Sequence, residues 1–205
     1  MSNTNDLRFE CVHCGKCCND LNTLVNTTYS DILRIKNGLN LTQDEVIEIL
    51  GFYVFDKKPT TKEIDRMVVP PIETERGLAF TGLKKKSNGQ CYFYNGKKKR
   101  CSIYKFRPNF CMTFPFTFKL VINKENSNEN AIKVVYTEKG LQYCQGIGDK
   151  SPIIGMNNWI QLGQRVIQDL TKNTVLIKKW NESVKKKRIL PSVKNFIITI
   201  FNLEK

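Results

Sequence analysis

The stretch FECVHCGKCC, residues 9–18, places four cysteines within eight positions, the last two adjacent. The spacing Cys11-x2-Cys14-x2-Cys17 lets one short loop wrap a metal centre with three thiolates, the opening used by four-iron clusters that draw a fourth ligand from elsewhere. Cys18 breaks the pattern. Side chains of adjacent residues diverge and rarely ligate one small ion together. Cys18 therefore points to a second site, an edge of a larger cluster, or a thiol that is no ligand.

The other four cysteines, Cys91, Cys101, Cys111 and Cys144, are far apart and form no second CxxC pair. A zinc ribbon needs two such knuckles, so a simple ribbon is disfavoured. Two closed four-ligand sites remain arithmetically open, for zinc or for iron–sulfur. A chain of 205 residues is long enough to bury a core, so the thiols are not needed merely as staples. The opening MSNTNDLRFE lacks the apolar stretch of a secretion signal, and no apolar run reaches the roughly 18 residues of a membrane span. A cytoplasmic location without a membrane partner is expected, where thiols stay reduced. Metal is then expected in place of disulfides.

Lys and Arg number 33 against 19 Asp and Glu, a net charge of +14. Such a surplus fits a nucleic-acid partner. The excess is mostly lysine in a chain also rich in Asn and Ile, residues that share AT-rich codons, so nucleic acid is not the favoured partner. A protein redox partner or client with an acidic surface fits the same charge.

Periodicity predicts an α+β fold: a small cysteine-rich metal-binding domain over 1–150, with β-hairpins, followed by a helical C-terminal segment over 151–205. NTTYSDILRIKNG reads as a helix capped by Thr28 or Ser30 and closed by Gly38. LTQDEVIEILGFYVF follows, with Thr42 and Glu45 at capping-box spacing and Val46, Ile49 and Leu50 on one face. From Leu78, three short strands are separated by SNG and NGK turns. A three-residue loop Asn95–Lys97 would set Cys91 opposite Cys101; a two-residue turn would set it opposite Arg100. FRPNFCMTFP is a tight or single helical turn between Pro108 and Pro115. FTFKLVI and AIKVVYT form a hairpin around NKENSNEN. Trp159, Leu162, Val166, Ile167 and Leu170 recur at helix spacing towards Trp180, and Ser192 caps a last helix.

Three segments together, FECVHCGKCC, CYFYNGKKKRCSIYKFRPNFCMTFPF and CQGIG, resemble the YkgJ-type cysteine-cluster family, the CxxCxxCC zinc- or iron-chelating domain. The resemblance covers about residues 9–148. It implies a metal-binding protein and carries over all eight cysteines as candidate ligands: Cys11, Cys14, Cys17, Cys18, Cys91, Cys101, Cys111 and Cys144. A flagellin lysine-methylating enzyme has a similar signature, so protein-lysine methylation is a family-level alternative. No catalytic residue is assigned.

Ligand softness and spacing favour an iron–sulfur cluster, of four-iron four-sulfide type, over Zn2+. Nine of the 21 aromatic residues fall between Tyr92 and Phe118, around three of the cysteines, where rings limit solvent access. A redox, sensing or enzyme-accessory role follows, with a zinc-stabilised module that binds nucleic acid through its lysine runs as the alternative. His13, the single histidine, reads first as an exposed loop residue and second as a ligand. Arg107 is placed to offset thiolate charge. The runs KKK at 84 and KKKR at 97 read first as solvated hairpin edges and second as a basic rim. KKKR at 185 reads as a linker between helices. GIG at 146–148 follows a cysteine, not an apolar strand, so no nucleotide loop is read there; P-loop, HExxH and GxSxG motifs are absent.

Overall fold

The computed structural model describes residues 7–121 and 131–204. The architecture is α+β, with short antiparallel sheets set among helices. The expected loop NKENSNEN lies outside the described residues.

The cysteine loop runs into a short helix, α1 (Lys16–Asn19), followed by α2 (Tyr29–Leu39) and α3 (Gln43–Ile49). Thr28 and Thr42 each accept from the amide three residues on, and Asp31 and Glu45 reach back to the cap amide. These are the capping boxes the local spacing calls for. Gly38 does not close α2. It lies inside the helix beneath the Phe106 ring, where a Cβ would collide, and Asn40 supplies the left-handed turn at φ 52°.

The helical reading of LTQDEVIEILGFYVF ends at Ile49. Leu50–Val54 is a strand, β1, because Gly51 weakens a helix while Phe52, Tyr53 and Val54 suit a pleated surface. The short helix α4 (Thr61–Asp65), capped by Thr60, leads to β2 (Ile72–Thr74) and β3 (Gly77–Leu83). The sheet has the order β1-β3-β2, with Leu50 opposite Leu83 and Ile72 opposite Ala79.

Next come β4 (Tyr94–Asn95), β5 (Arg100–Cys101), α5 (Asn109–Thr113), the hairpin β6 (Phe116–Val121) and β7 (Ala131–Tyr136), and α6 (Glu138–Tyr143). The chain ends in the long α7 (Met156–Lys185) and α8 (Val193–Phe201), the latter capped by Ser192. KKKR at 185 is exposed and leads from α7 towards α8, as expected: Lys185 ends α7, Lys186 is its C-cap, and the Arg188 amide donates to the Ser183 carbonyl at 2.9 Å. Cations there complement the helix dipole. Trp180 is buried, its Nε1–H donating to the Glu73 carbonyl at 2.9 Å.

Two apolar clusters form. The larger joins α2, α3 and the sheet to α7 and α8 through Ile32, Ile35, Ile72, Ile177, Phe196 and others. The smaller collects Phe116, Val134 and Ile154 with Phe9 and Trp159, where the β6–β7 hairpin meets the start of α7. Phe116 and Trp159 meet edge-on at 4.5 Å between ring centroids.

Asp31, with its side chain fully buried, links these helices. It accepts from the amides of Thr28 and Asn109, both at 2.9 Å, and pairs with Arg34. Asn109 in turn donates to Asp169 on α7 at 3.0 Å, and Asn173 accepts from the Tyr29 amide at 2.9 Å. Burial raises the Asp31 pKa, opposed by the Thr28 amide, Arg34 and the Asn109 amide. Removing the carboxylate strands two amides and leaves Arg34 with Asn109 Oδ1, at 3.2 Å, as its remaining partner. Asp31→Ala should cost about 3–5 kcal/mol of stability, against about 1 kcal/mol for Thr60→Ala at the peripheral cap of α4. Urea unfolding midpoints of the two variants test the ordering.

Candidate metal centre

All eight cysteines are free thiols, and all line one cavity of about 940 Å³. They come from five stretches of chain, and each stretch is held by identifiable contacts. The loop bearing Cys11, Cys14, Cys17 and Cys18 is fixed at both ends. At its start the Glu10 amide donates to the Gly146 carbonyl at 3.0 Å, two residues beyond Cys144. Gly146 has no room for a side chain, since a Cβ would collide with the Glu10 carbonyl. At its end the Cys91 amide donates to the Cys18 carbonyl at 2.9 Å. Between them Gly15, at φ 72°, opens α1 with the Tyr94 hydroxyl where a Cβ would lie.

The hairpin register differs from both expected pairings. Tyr94 is opposite Cys101 and Asn95 opposite Arg100, so four residues form the loop. Cys91 instead bridges to Lys85. The longer loop accommodates the exposed lysine run, whose first turn is closed by the Lys98 amide donating to Asn95 Oδ1 at 2.9 Å. Cys111 sits in α5, its amide donating to the Pro108 carbonyl at 2.9 Å. Cys144 is the C-cap of α6.

Asp20, a residue the sequence reading passed over, ties three of these stretches together. Its Oδ2 accepts from Thr23, from Lys139 at 3.0 Å and from the Tyr143 hydroxyl at 3.4 Å. Its carbonyl accepts from Lys85 Nζ at 2.6 Å. Thr23 most, then Lys139 and the Asn22 amide, hold the carboxyl well below the usual range against its desolvation. The run at 84–86 is thus not a solvated edge throughout. Lys84 is exposed, whereas Lys85 braces Asp20 and Lys86 donates to the Tyr94 carbonyl at 2.5 Å. Asp20 was legible only as a turn residue; its partner Lys139 is remote in sequence.

The Cys17 and Cys18 sulfurs stand 4.0 Å apart. The Cys18 thiol brings Cys17 down to about 7, with a smaller effect from Arg107, and is itself pushed up. Burial raises Cys91, Cys101, Cys111 and Cys144. Arg107 opposes that rise at Cys101 and Cys111. Its guanidinium lies 3.7 Å from the Tyr104 ring centroid, and its Nε–H donates to the Tyr104 carbonyl at 3.0 Å. His13 is exposed, its ring 5.0 Å from that of Tyr104.

Among the described residues no three His, Cys, Asp or Glu side chains converge closely enough to hold a single ion. The donor set fits a thiophilic metal group all the same: eight thiols face one cavity, with a fixed cation beside them.

Residues 10–144 match the family described as "CxxCxxCC: Putative zinc- or iron-chelating domain". The chain belongs to this family. It is also similar to "Uncharacterized protein MJ0661" of Methanocaldococcus jannaschii, 26% identical over 144 residues, which are 70% of this chain and 60% of that protein. The match thus spans less than two thirds of that relative's length. No solved structure matches. No helix among the described residues is long and apolar enough to cross a membrane.

Contacts behind metal ligands typically change affinity about 10–100-fold when removed. Asp20→Ala should raise the rate of metal loss to a chelator at least tenfold. Tyr143→Phe, which removes only the 3.4 Å contact, should leave it nearly unchanged.

Proposed function

We propose that this chain is an iron–sulfur protein serving electron transfer or redox sensing for a protein partner, in a compartment that keeps thiols reduced. The observation that carries this reading is the convergence of eight free thiols from five stretches on one cavity of about 940 Å³. Eight cysteine thiols beside a single histidine that is exposed make a soft, all-sulfur donor set, which suits an iron–sulfur group held by thiolates. Cys11, Cys14, Cys17, Cys18, Cys91, Cys101, Cys111 and Cys144 would hold it. When bound, such a group supplies reversible one-electron chemistry.

The protein's own contribution is positional and electrostatic. Tyr94, Phe110 and Phe114 line the cavity and restrict water. Arg107, locked over Tyr104, places fixed positive charge beside Cys17, Cys101 and Cys111. Lys97, Lys98 and Lys99 on the β4–β5 loop and Arg100 at the start of β5 are exposed, and Lys99 and Arg100 also line the cavity. They form a basic rim suited to an acidic protein surface. A nucleic-acid role has less support, because Lys85 and Lys86 brace the protein's own backbone and Trp180 is buried.

Anaerobically purified protein should contain iron and acid-labile sulfide in equal amounts, with a broad visible absorption that bleaches on reduction. Zinc without sulfide would overturn the iron–sulfur reading. In a redox titration, Arg107→Leu should lower the midpoint potential, because reduction adds negative charge that the guanidinium offsets. Arg107→Lys should preserve more of the potential than Leu does.

A further inference from the structure

We infer that the cavity also takes an amphipathic organic anion. Its apolar chain lies where the β6–β7 hairpin and α7 line the wall, and its carboxylate or phosphate end lies at Lys119 and Lys133. This goes beyond the metal-binding reading above, which concerns the cysteine-lined part of the same cavity.

At about 940 Å³ the cavity stands near the top of the range for small-molecule pockets, roughly 300–1,000 Å³. Leu24, Met67, Phe80, Phe114, Val135 and Ile167 all line it. Each is half-buried, and none belongs to either apolar cluster. Their apolar surface faces a cavity where a core would ordinarily cover it, and an apolar chain seated there removes it from water. Phe80 is braced by Phe55, ring centroids 4.5 Å apart, and Phe114 by Tyr143 at 5.7 Å. This part of the wall is therefore pre-formed.

The hairpin adds the polar end. One of its faces is committed to the smaller cluster, where Phe116, Phe118 and Val134 pack and the Phe118 ring lies against Gly163 of α7. Side chains alternate along a strand, so Thr117 and Lys119 share the other face with their partners Val135 and Lys133. Thr117, Lys119 and Val135 line the cavity. Lys119 is directly opposite Lys133, an arrangement in which like charges destabilise a strand pair. An anion between the two ammonium groups turns that repulsion into attraction.

The rest of the lining has the same sign. Among the described residues it carries Lys16, Lys99, Arg100, Arg107, Lys119 and Lys139 against one carboxylate, Glu138. Arg107 is placed beside the thiols and Lys139 is paired with Asp20, whereas the hairpin that bears Lys119 carries no cysteine. Its charge is thus available to a second group.

The test is calorimetric titration of anaerobically purified full-length protein with dodecanoate and with dodecyl phosphate, each below its micellar concentration. At least one should bind at one molecule per chain, and the better of the two names the head group. Butyrate, which keeps the head and loses the long chain, should bind at least about tenfold more weakly, and so should dodecyltrimethylammonium, which keeps the chain and reverses the charge. Lys119→Glu with Lys133→Glu, both at exposed positions, should weaken the anion about tenfold and leave the metal content unchanged. Failure of both dodecyl anions to bind wild type, equal binding of the ammonium compound, or undiminished binding to the double variant would overturn the inference. The wild-type series decides it even where the variant fails to fold. Iron and zinc content of the same samples keeps the two readings apart. Metal without anion binding would overturn this inference alone, and anion binding without metal would overturn the metal-binding reading alone.

Discussion

A buried carboxylate needs its full complement of donors, and much of this fold is arranged to supply them to Asp31. Its position is set by the first turn of α2, where it completes the Thr28 capping box. The same side chain accepts the Asn109 amide at the start of α5, which brings Cys111 against the larger core. Asn109 then reaches Asp169 on α7. One local capping signal therefore also sets the placement of a candidate ligand in α5, whose first residue, Asn109, lies 78 positions beyond Asp31. Charge-assisted hydrogen bonds of this kind are directional as well as strong, so they specify where α5 docks as well as stabilising it.

The cysteine loop is suspended differently, between two apolar clusters and not within either. Its entry follows Phe9 in the smaller cluster, and its exit meets Cys91 at the edge of the larger. Asp20 holds that exit to α6 through Lys139 and to the Cys91 arm through Lys85. A metal group in the cavity would therefore join the two clusters, and its binding energy would become part of the folding energy.

Local signals in the sequence were largely legible. Thr28, Thr42 and Ser192 are caps, α7 follows its apolar period, and the β6–β7 hairpin forms from the expected strands. The convergence of all eight cysteines on one cavity bears on their candidacy as ligands without assigning them. What escaped depended on pairing across the chain. β1 was read as the end of a helix because its identity as a strand comes from β3. The β4–β5 register hung on a loop length that several turn types satisfy. Asp20 and Lys139 are too far apart in sequence for either to announce the other.

The basic surplus divides in the same physical way. Lys85, Lys86 and Lys139 are committed to carbonyls or to Asp20, and Lys36 pairs with Glu204. Such lysines contribute to architecture and are poor candidates for recognition, since a partner would have to displace short contacts. The run from Lys97 to Arg100 is exposed, and its last residue, Arg100, begins β5 next to Cys101. Field strength falls with distance and with salt screening, so charge this near the cavity weighs more on an approaching partner than charge elsewhere. Lys99 and Arg100 of this run line the cavity itself and are exposed, whereas Lys85 and Lys86, beside Cys91, are committed to backbone carbonyls.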